Sequence, residues 1–250
     1  MEPPVHLWAR RHHRAPHPRA RLVCLPHAGG SASYFAPVAK ALAPEIDVLA
    51  IQYPGRQDRR NEPAVDTVEA LADLITPVLL PCTDLPLALF GHSMGASIGY
   101  EVARRLEKAG TAPLVLIVSA RRAPTRHRAE TTHLRDDAGL VAAVQALGGA
   151  NSRLLDDPEV RSMVLPALRS DYRAAETYRP GPGTVSCPIT ALVGESDPKC
   201  TPDEAGSWRD HTTGDFTLLT FPGGHFYLDQ QAPAVLDVLK ERFRTLTAER

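Results

Sequence analysis

A chain of 250 residues, 43% of them hydrophobic and 23% charged, holds enough apolar material for one large core with a modest insertion. Its 28 Lys and Arg balance 29 Asp and Glu to a formal net charge of −1, which supplies no field for nucleic acid. No apolar run approaches the roughly 18 residues of a membrane span, and residues 1–21 carry Arg and His without a signal-like apolar centre, so a cytoplasmic chain without a membrane partner is expected.

In chain order, residues 7–11 suggest a short edge strand. Residues 22–25 are apolar throughout, as in a strand covered on both faces, and run into Pro26-His27-Ala28-Gly29-Gly30. A helix is predicted over 34–42 and a second strand over 47–51, leading to Tyr53-Pro54-Gly55-Arg56, whose Pro-Gly step marks a turn. Residues 65–80 have helical spacing, with Val68, Leu71, Ala72, Ile75, Val78 and Leu79 on one stripe and Pro77 as a kink or end. A strand over 85–90, a helix over 96–108 stopped by Gly110, and a strand over 114–119 follow. This alternation predicts an α/β fold with a mostly parallel sheet and helices on both faces. It then breaks. The next strand, 189–193, comes only after 121–186, where helical periodicity appears over 139–147 and 158–178; a structureless loop of that length is improbable, so a helical cap over the sheet edge is expected. A strand over 216–221 and an amphipathic helix over 233–246 close the chain. The expected division is a core of 1–120 and 187–250 with a helical lid of 121–186. Cys24, Cys82, Cys187 and Cys200 form no C-x-x-C pair and read as free thiols.

The chemistry centres on Gly91-His92-Ser93-Met94-Gly95, a G-x-S-x-G pattern between a predicted strand and a predicted helix. That context describes a nucleophile elbow, in which a serine sits on a tight, strained turn and its neighbours two positions away must be small. The helix start would offer the Met94 backbone N–H to a developing oxyanion, and the glycine-containing loop after the first strand would offer that of Ala28. Asp197, after the strand over 189–193, and His225, in Gly223-Gly224-His225-Phe226, complete the order nucleophile, acid, histidine found in α/β-hydrolases. All three follow predicted parallel strands, which brings them to one edge of the sheet. Glu195 is the local rival for the acid, and Asp197 could instead cap the helix near Pro202. His27 and His92 read as neighbours of the site, and His211, among Thr and Asp, reads as solvated. Arg56 and Arg59 could orient their loop or be surface charges. No H-E-x-x-H and no G-x-G-x-x-G spacing occurs, so neither metal nor cofactor is expected.

Pro26-His27-Ala28-Gly29-Gly30, Tyr53-Pro54-Gly55-Arg56, Gly91-His92-Ser93-Met94-Gly95, Gly194-Glu195-Ser196-Asp197-Pro198 and Gly224-His225-Phe226 resemble in order and spacing the type II thioesterases that accompany modular polyketide synthases and nonribosomal peptide synthetases. The resemblance runs from about residue 7 to the C-terminal helix and is weakest in the cap. It implies an α/β-hydrolase that removes stalled or incorrect acyl groups from the phosphopantetheine arm of an acyl or peptidyl carrier protein. It implies Ser93, Asp197 and His225 as a catalytic triad and the Met94 and Ala28 N–H groups as the oxyanion hole. The residues by themselves support acyl transfer to water, which leaves a general carboxylesterase, a serine acyltransferase or a non-catalytic hydrolase-fold binding protein as alternatives. Arg121, Arg122, Arg126 and Arg128, the densest basic cluster, are expected either to dock an acidic carrier or to form a solvated loop.

Overall fold

A computed structural model of the chain describes residues 5–149 and 152–248. Its strands are β1 (Ala9–Arg10), β2 (Ala20–Leu25), β3 (Ile46–Ile51), β4 (Leu87–His92), β5 (Leu116–Ser119), β6 (Ile189–Gly194) and β7 (Phe216–Phe221). Its helices are α1 (Val5–Trp8), α2 (Ala36–Leu42), α3 (Val68–Leu79), α4 (Met94–Lys108), α5 (Asp137–Ala146), α6 (Pro158–Thr177), α7 (Pro202–Gly206), α8 (Tyr227–Gln230) and α9 (Ala232–Ala248). The sheet order is β1-β3-β2-β4-β5-β6-β7, parallel throughout except for β1, which pairs antiparallel with β3. The structure is thus the expected α/β-hydrolase architecture.

Strands β2 to β6 are buried at every residue because side chains alternate between two covered faces. Val23 and Leu25 pack with Leu71, Ile75 and Tyr100 of α3 and α4. Leu22 and Cys24 pack on the opposite side with Leu42, Leu239 and Phe243 of α2 and α9. The edge strand expected over 7–11 is reduced to β1, since residues 5–8 form a helical turn that buries Trp8. Pro77 does not stop α3: it lies in the last turn, where the proline removes little of the backbone ladder, and the helix runs on to Leu79.

Between β5 and β6 lie α5 and α6, each started by an aspartate. Asp136 accepts from Gly139 N–H at 2.8 Å, and Asp157 from Glu159 N–H at 2.8 Å, with Pro158 in the first helical turn. Leu140, Val141, Leu155, Leu165, Leu168 and Tyr172 form a separate small cluster, whereas Ala174 and Tyr178, at the end of α6, join the main core. Because β3 lies on one side of β2 and β4 on the other, a crevice opens at the carboxyl ends of β2 and β4, the place where open parallel sheets take ligands.

Candidate active site

Ser93 stands in that crevice, on the junction between β4 and α4, with φ 54° and ψ −118°. A non-glycine residue at positive φ is held there only by its surroundings, and two glycines provide them. A Cβ at Gly91 would lie 2.2 Å from Gly95 O, and one at Gly95 would lie 2.0 Å from Leu25 O. The first glycine therefore lets the turn close on itself, and the second lets the turn sink against the end of β2. Ser93 N–H donates to Ser119 O at 2.8 Å, fixing the elbow to β5.

His225 Nε2 lies 3.0 Å from Ser93 Oγ, and its Nδ1 lies 2.9 and 3.0 Å from the two carboxylate oxygens of Asp197. A carboxylate only accepts, so Nδ1 carries the ring proton and Nε2 presents its lone pair to the Ser93 hydroxyl, which donates. The Asp197 side chain is completely buried, and its Oδ1 also accepts the Lys199 N–H at 2.8 Å. Glu195 is exposed, with its backbone N–H on Phe221 O. Asp197 does not cap α7 either: Thr201 does, in a reciprocal box with Glu204.

Met94 follows Ser93 directly, and Ala28 lines the same cavity as Ser93. Met94 opens α4, so its N–H has no acceptor within the helix. Ala28 sits in a turn closed by Gly30 N–H donating to His27 O at 2.9 Å, with Gly29 at φ 75°. Gly29 N–H donates to Asp171 Oδ2 of α6 at 2.7 Å, and Arg56 Nη1 donates to Gly30 O at 3.1 Å and to Asp171. Arg56, left undecided by the sequence, is thus a buried loop-holding residue, and Asp171 was not singled out at all. The signal for it is an acid three residues from both Leu168 and Ala174, on the apolar face of a helix, where a carboxylate needs a partner. Arg59 also works inward: it pairs with Glu62, donates to Gln52 O at 2.8 Å and stacks over Trp8.

His27 and His92 are indeed neighbours of the site. Burial, reinforced by the nearby His225, pushes His27 down to about 3 and holds His92 well below its ordinary value, so both rings stay neutral beside His225. His92 Nδ1 is 3.0 Å from Ser119 Oγ, which in turn meets Tyr227 OH at 2.7 Å. Two cavities meet at Ala28 and Phe226. One of about 330 Å3 is walled by Val144, Leu155, Val160, Val164, Ala167 and Leu168; the other, about 50 Å3, contains Ser93, His225, Glu130, Tyr172 and Lys199.

The arginine cluster is not a free basic patch. Arg121 donates to Ser97 Oγ and Ala175 O, and buried Arg122 pairs with Glu130 and donates to Lys199 O. Arg128 holds both oxygens of Glu204, and Arg126 binds Ser207 Oγ and Asp203. Local density of charge said nothing about these acceptors, which come from segments distant in sequence. His211 is likewise buried rather than solvated, against Tyr100 and Trp208.

The family model described as "Thioesterase domain" matches residues 20–243. The chain is 52% identical over 229 residues to a protein of Streptomyces griseus named "Probable cadicidin biosynthesis thioesterase", covering 91% of this chain and 63% of that protein. It is 49% identical over 228 residues to "Thioesterase PikA5" of Streptomyces venezuelae, covering 90% of this chain and 81% of the relative. Among solved structures, the type II thioesterase BorB from the borrelidin biosynthetic cluster superposes with TM-score 0.87 at 51% identity, over 94% of this chain and 97% of that one. The elbow, the hydrogen-bonded serine, histidine and aspartate, and these matches across nearly the whole chain lead to one conclusion: the chain belongs to the thioesterase family, among type II thioesterases built on the α/β-hydrolase fold.

Proposed function

We propose that the protein hydrolyses acyl thioesters and serves polyketide or nonribosomal peptide assembly by clearing unwanted acyl groups from the phosphopantetheine arm of acyl or peptidyl carrier proteins. The observation that carries this reading is the continuous hydrogen-bonded line from Ser93 through His225 to Asp197, its serine and histidine in the smaller of two adjoining cavities. Ser93 Oγ attacks the thioester carbonyl while His225 Nε2 takes its proton, and Asp197 steadies the resulting imidazolium. The carbonyl oxygen becomes an oxyanion between the Met94 and Ala28 N–H groups. Collapse breaks the C–S bond, and the departing sulfur takes the proton from His225, leaving an acyl-serine. Water then enters, gives a proton to His225, attacks the acyl carbon and releases the free acid, the proton returning to Ser93.

Residues 121–186 act as the lid over a core of 1–120 and 187–250, and the apolar cavity under α6 accepts the acyl chain. A carrier protein brings its arm to this crevice; Arg121, Arg122 and Arg128 are engaged by Ala175 O, Glu130 and Glu204, which speaks against the arginine cluster as its docking surface. Comparing kcat/KM for acyl-loaded carrier protein, a small acyl thioester and a matched oxygen ester tests the reading. The carrier-bound thioester is expected to be turned over fastest; an oxygen ester preferred over both thioesters would make the protein a general esterase.

A further inference from the structure

We propose that Arg56 and Asp171 form a positioning pair that makes the Ala28 side of the oxyanion hole depend on the seating of α6. The proposal rests on the reading of Ser93 and Ala28 given above. The pair is deeply buried, with the Asp171 side chain 0% and the Arg56 side chain 9% exposed, and Arg56 Nη1 donates to Asp171 Oδ2 and Nη2 to Oδ1, each at 2.8 Å. Fork-on-fork geometry of this kind fixes direction as well as distance. Each partner also holds the turn that carries Ala28: Asp171 Oδ2 accepts Gly29 N–H at 2.7 Å, and Arg56 Nη1 donates to Gly30 O at 3.1 Å.

The turn has something to be held against. Its central peptide joins Ala28 to Gly29, with Gly29 at φ 75°; a flip of that peptide would exchange Gly29 N–H and the Ala28 carbonyl, while the Ala28 N–H, on the preceding peptide, is positioned by the place of the turn as a whole. In the observed orientation Gly29 N–H faces Asp171; in the flipped one the Ala28 carbonyl would face the carboxylate instead, which repels it. Leu168, one turn before Asp171, also closes on Gly29, where a Cβ would lie 2.7 Å from Leu168 Cδ1. Tyr53 OH donates to Pro26 O at 3.2 Å from the same loop as Arg56. Two segments far apart in sequence, the 53–56 loop and α6, thus converge on residues 26–30, and the second is a helix of the cap segment. Lifting that part of α6 would release Gly29 N–H and the turn together, so the oxyanion hole is complete only under a seated cap. Arg56 and Asp171 touch no reacting atom; they act through the turn.

The decisive variant replaces the pair by apolar residues, Arg56→Met with Asp171→Leu, because a buried ion pair exchanged for well-packed hydrophobic residues commonly leaves stability unchanged. Loss of one oxyanion donor costs about 10²–10³ in kcat, and loosening one is expected to cost roughly 10–100-fold, with KM for a small acyl thioester within about threefold and Tm close to wild type. Affinity for an alkyl boronic acid, which forms a tetrahedral adduct with Ser93, should fall by a factor similar to kcat. Wild-type kcat and boronic acid affinity in the folded double variant would overturn the proposal. If the double variant does not fold, Arg56→Lys is decisive on the same two readings: it keeps the charge but lacks the planar fork that meets the two carboxylate oxygens side by side. A wild-type enzyme that neither turns over the thioester nor is labelled on Ser93 by a fluorophosphonate would instead refute the functional reading beneath.

Discussion

The two ends of α6 are held by different forces. From Asp171 onward the helix is held by polar contacts: to the core through Asp171 on Arg56 and Gly29 and through Tyr178 OH on Glu101 at 2.8 Å, and within 121–186 through Ala175 O on Arg121 at 2.6 Å and Glu176 on the Thr132 and His133 N–H groups at 3.0 Å. Toward its start the same helix, with α5 and residues 152–156, packs through Leu140, Leu155 and Leu165, its hydrogen bonds from Arg161 Nε to Leu155 O at 2.9 Å and from Gln145 Nε2 to Asp156 at 2.8 Å stay within that segment, and Met163 is 59% and Leu154 57% exposed. Gly148 and Gly149, at φ 74° and 105°, flank this end. Apolar contacts are non-directional and tolerate sliding, whereas a buried fork of hydrogen bonds has one geometry. The difference teaches that α6 is joined to the crevice wall by directional polar contacts at one end and lines the larger cavity through apolar packing at the other.

The strongest way to break this comparison is Arg56→Ala, which strands the Asp171 carboxylate in the interior. Stranding a buried charge costs about 3–5 kcal/mol, so urea unfolding should show a loss of that order. A loss no greater than that of Met163→Ala would erase the distinction between the ends. Next, Arg122→Glu places a second acid against Glu130 and should lower Tm and reduce turnover of carrier-bound and small thioesters in parallel. A rise in KM confined to carrier-bound substrate would restore the arginine cluster as a docking surface.

Acid sharpens the same contrast. Glu130 is held down to about 2 from the ordinary 4.5 by Lys199 and Arg122, in spite of the opposing pull of burial, and Glu176 is lowered by its bonds to Thr132 and His133, again against burial. For a carboxylate lowered on folding, the stabilisation is complete above its unfolded value and disappears as pH falls through the folded one. Stability should therefore decline from about pH 4.5 toward 2. Glu130→Gln should flatten that decline in thermal melts taken across the range, and an unchanged slope would remove Glu130 from the account. The smallest effect belongs to the apolar end of α6. Met163→Ala should change stability by no more than about 0.5 kcal/mol, as is usual at exposed positions, while acyl chain-length preference shifts. Unchanged preference across a series at Met163 and Val164 would make that end a passive cover.

Much of the framework was legible because its strands are apolar on both faces and end in punctuated loops. Ser93, Asp197 and His225 stand at such ends, and parallel strands bring those ends together. The resemblance then supplied the thioester and the carrier, which no spacing could. The Arg56–Asp171 pair was not legible, since its members are far apart in sequence and a carboxylate on an apolar stripe announces only that some partner exists. The arginines after β5 misled for the opposite reason: their density is local, but the acceptors that use them, among them Lys199 O, Ala175 O and Glu204, lie in other segments. Burial of His211 under Tyr100 and Trp208 is equally a product of distant packing.

The central claim is that Ser93 accepts the acyl group from the thioester, and trapping that intermediate tests it most directly. Protein mixed with an acyl-loaded carrier and acid-quenched within one turnover should gain the mass of the acyl group, carried on the peptide containing Ser93. Ser93→Ala should show no such gain and should lose about 10⁶ in kcat, as seen on removing the nucleophile of another serine triad. An acyl group found on any other residue, or a Ser93→Ala variant that keeps more than about a tenth of the turnover, would contradict the account.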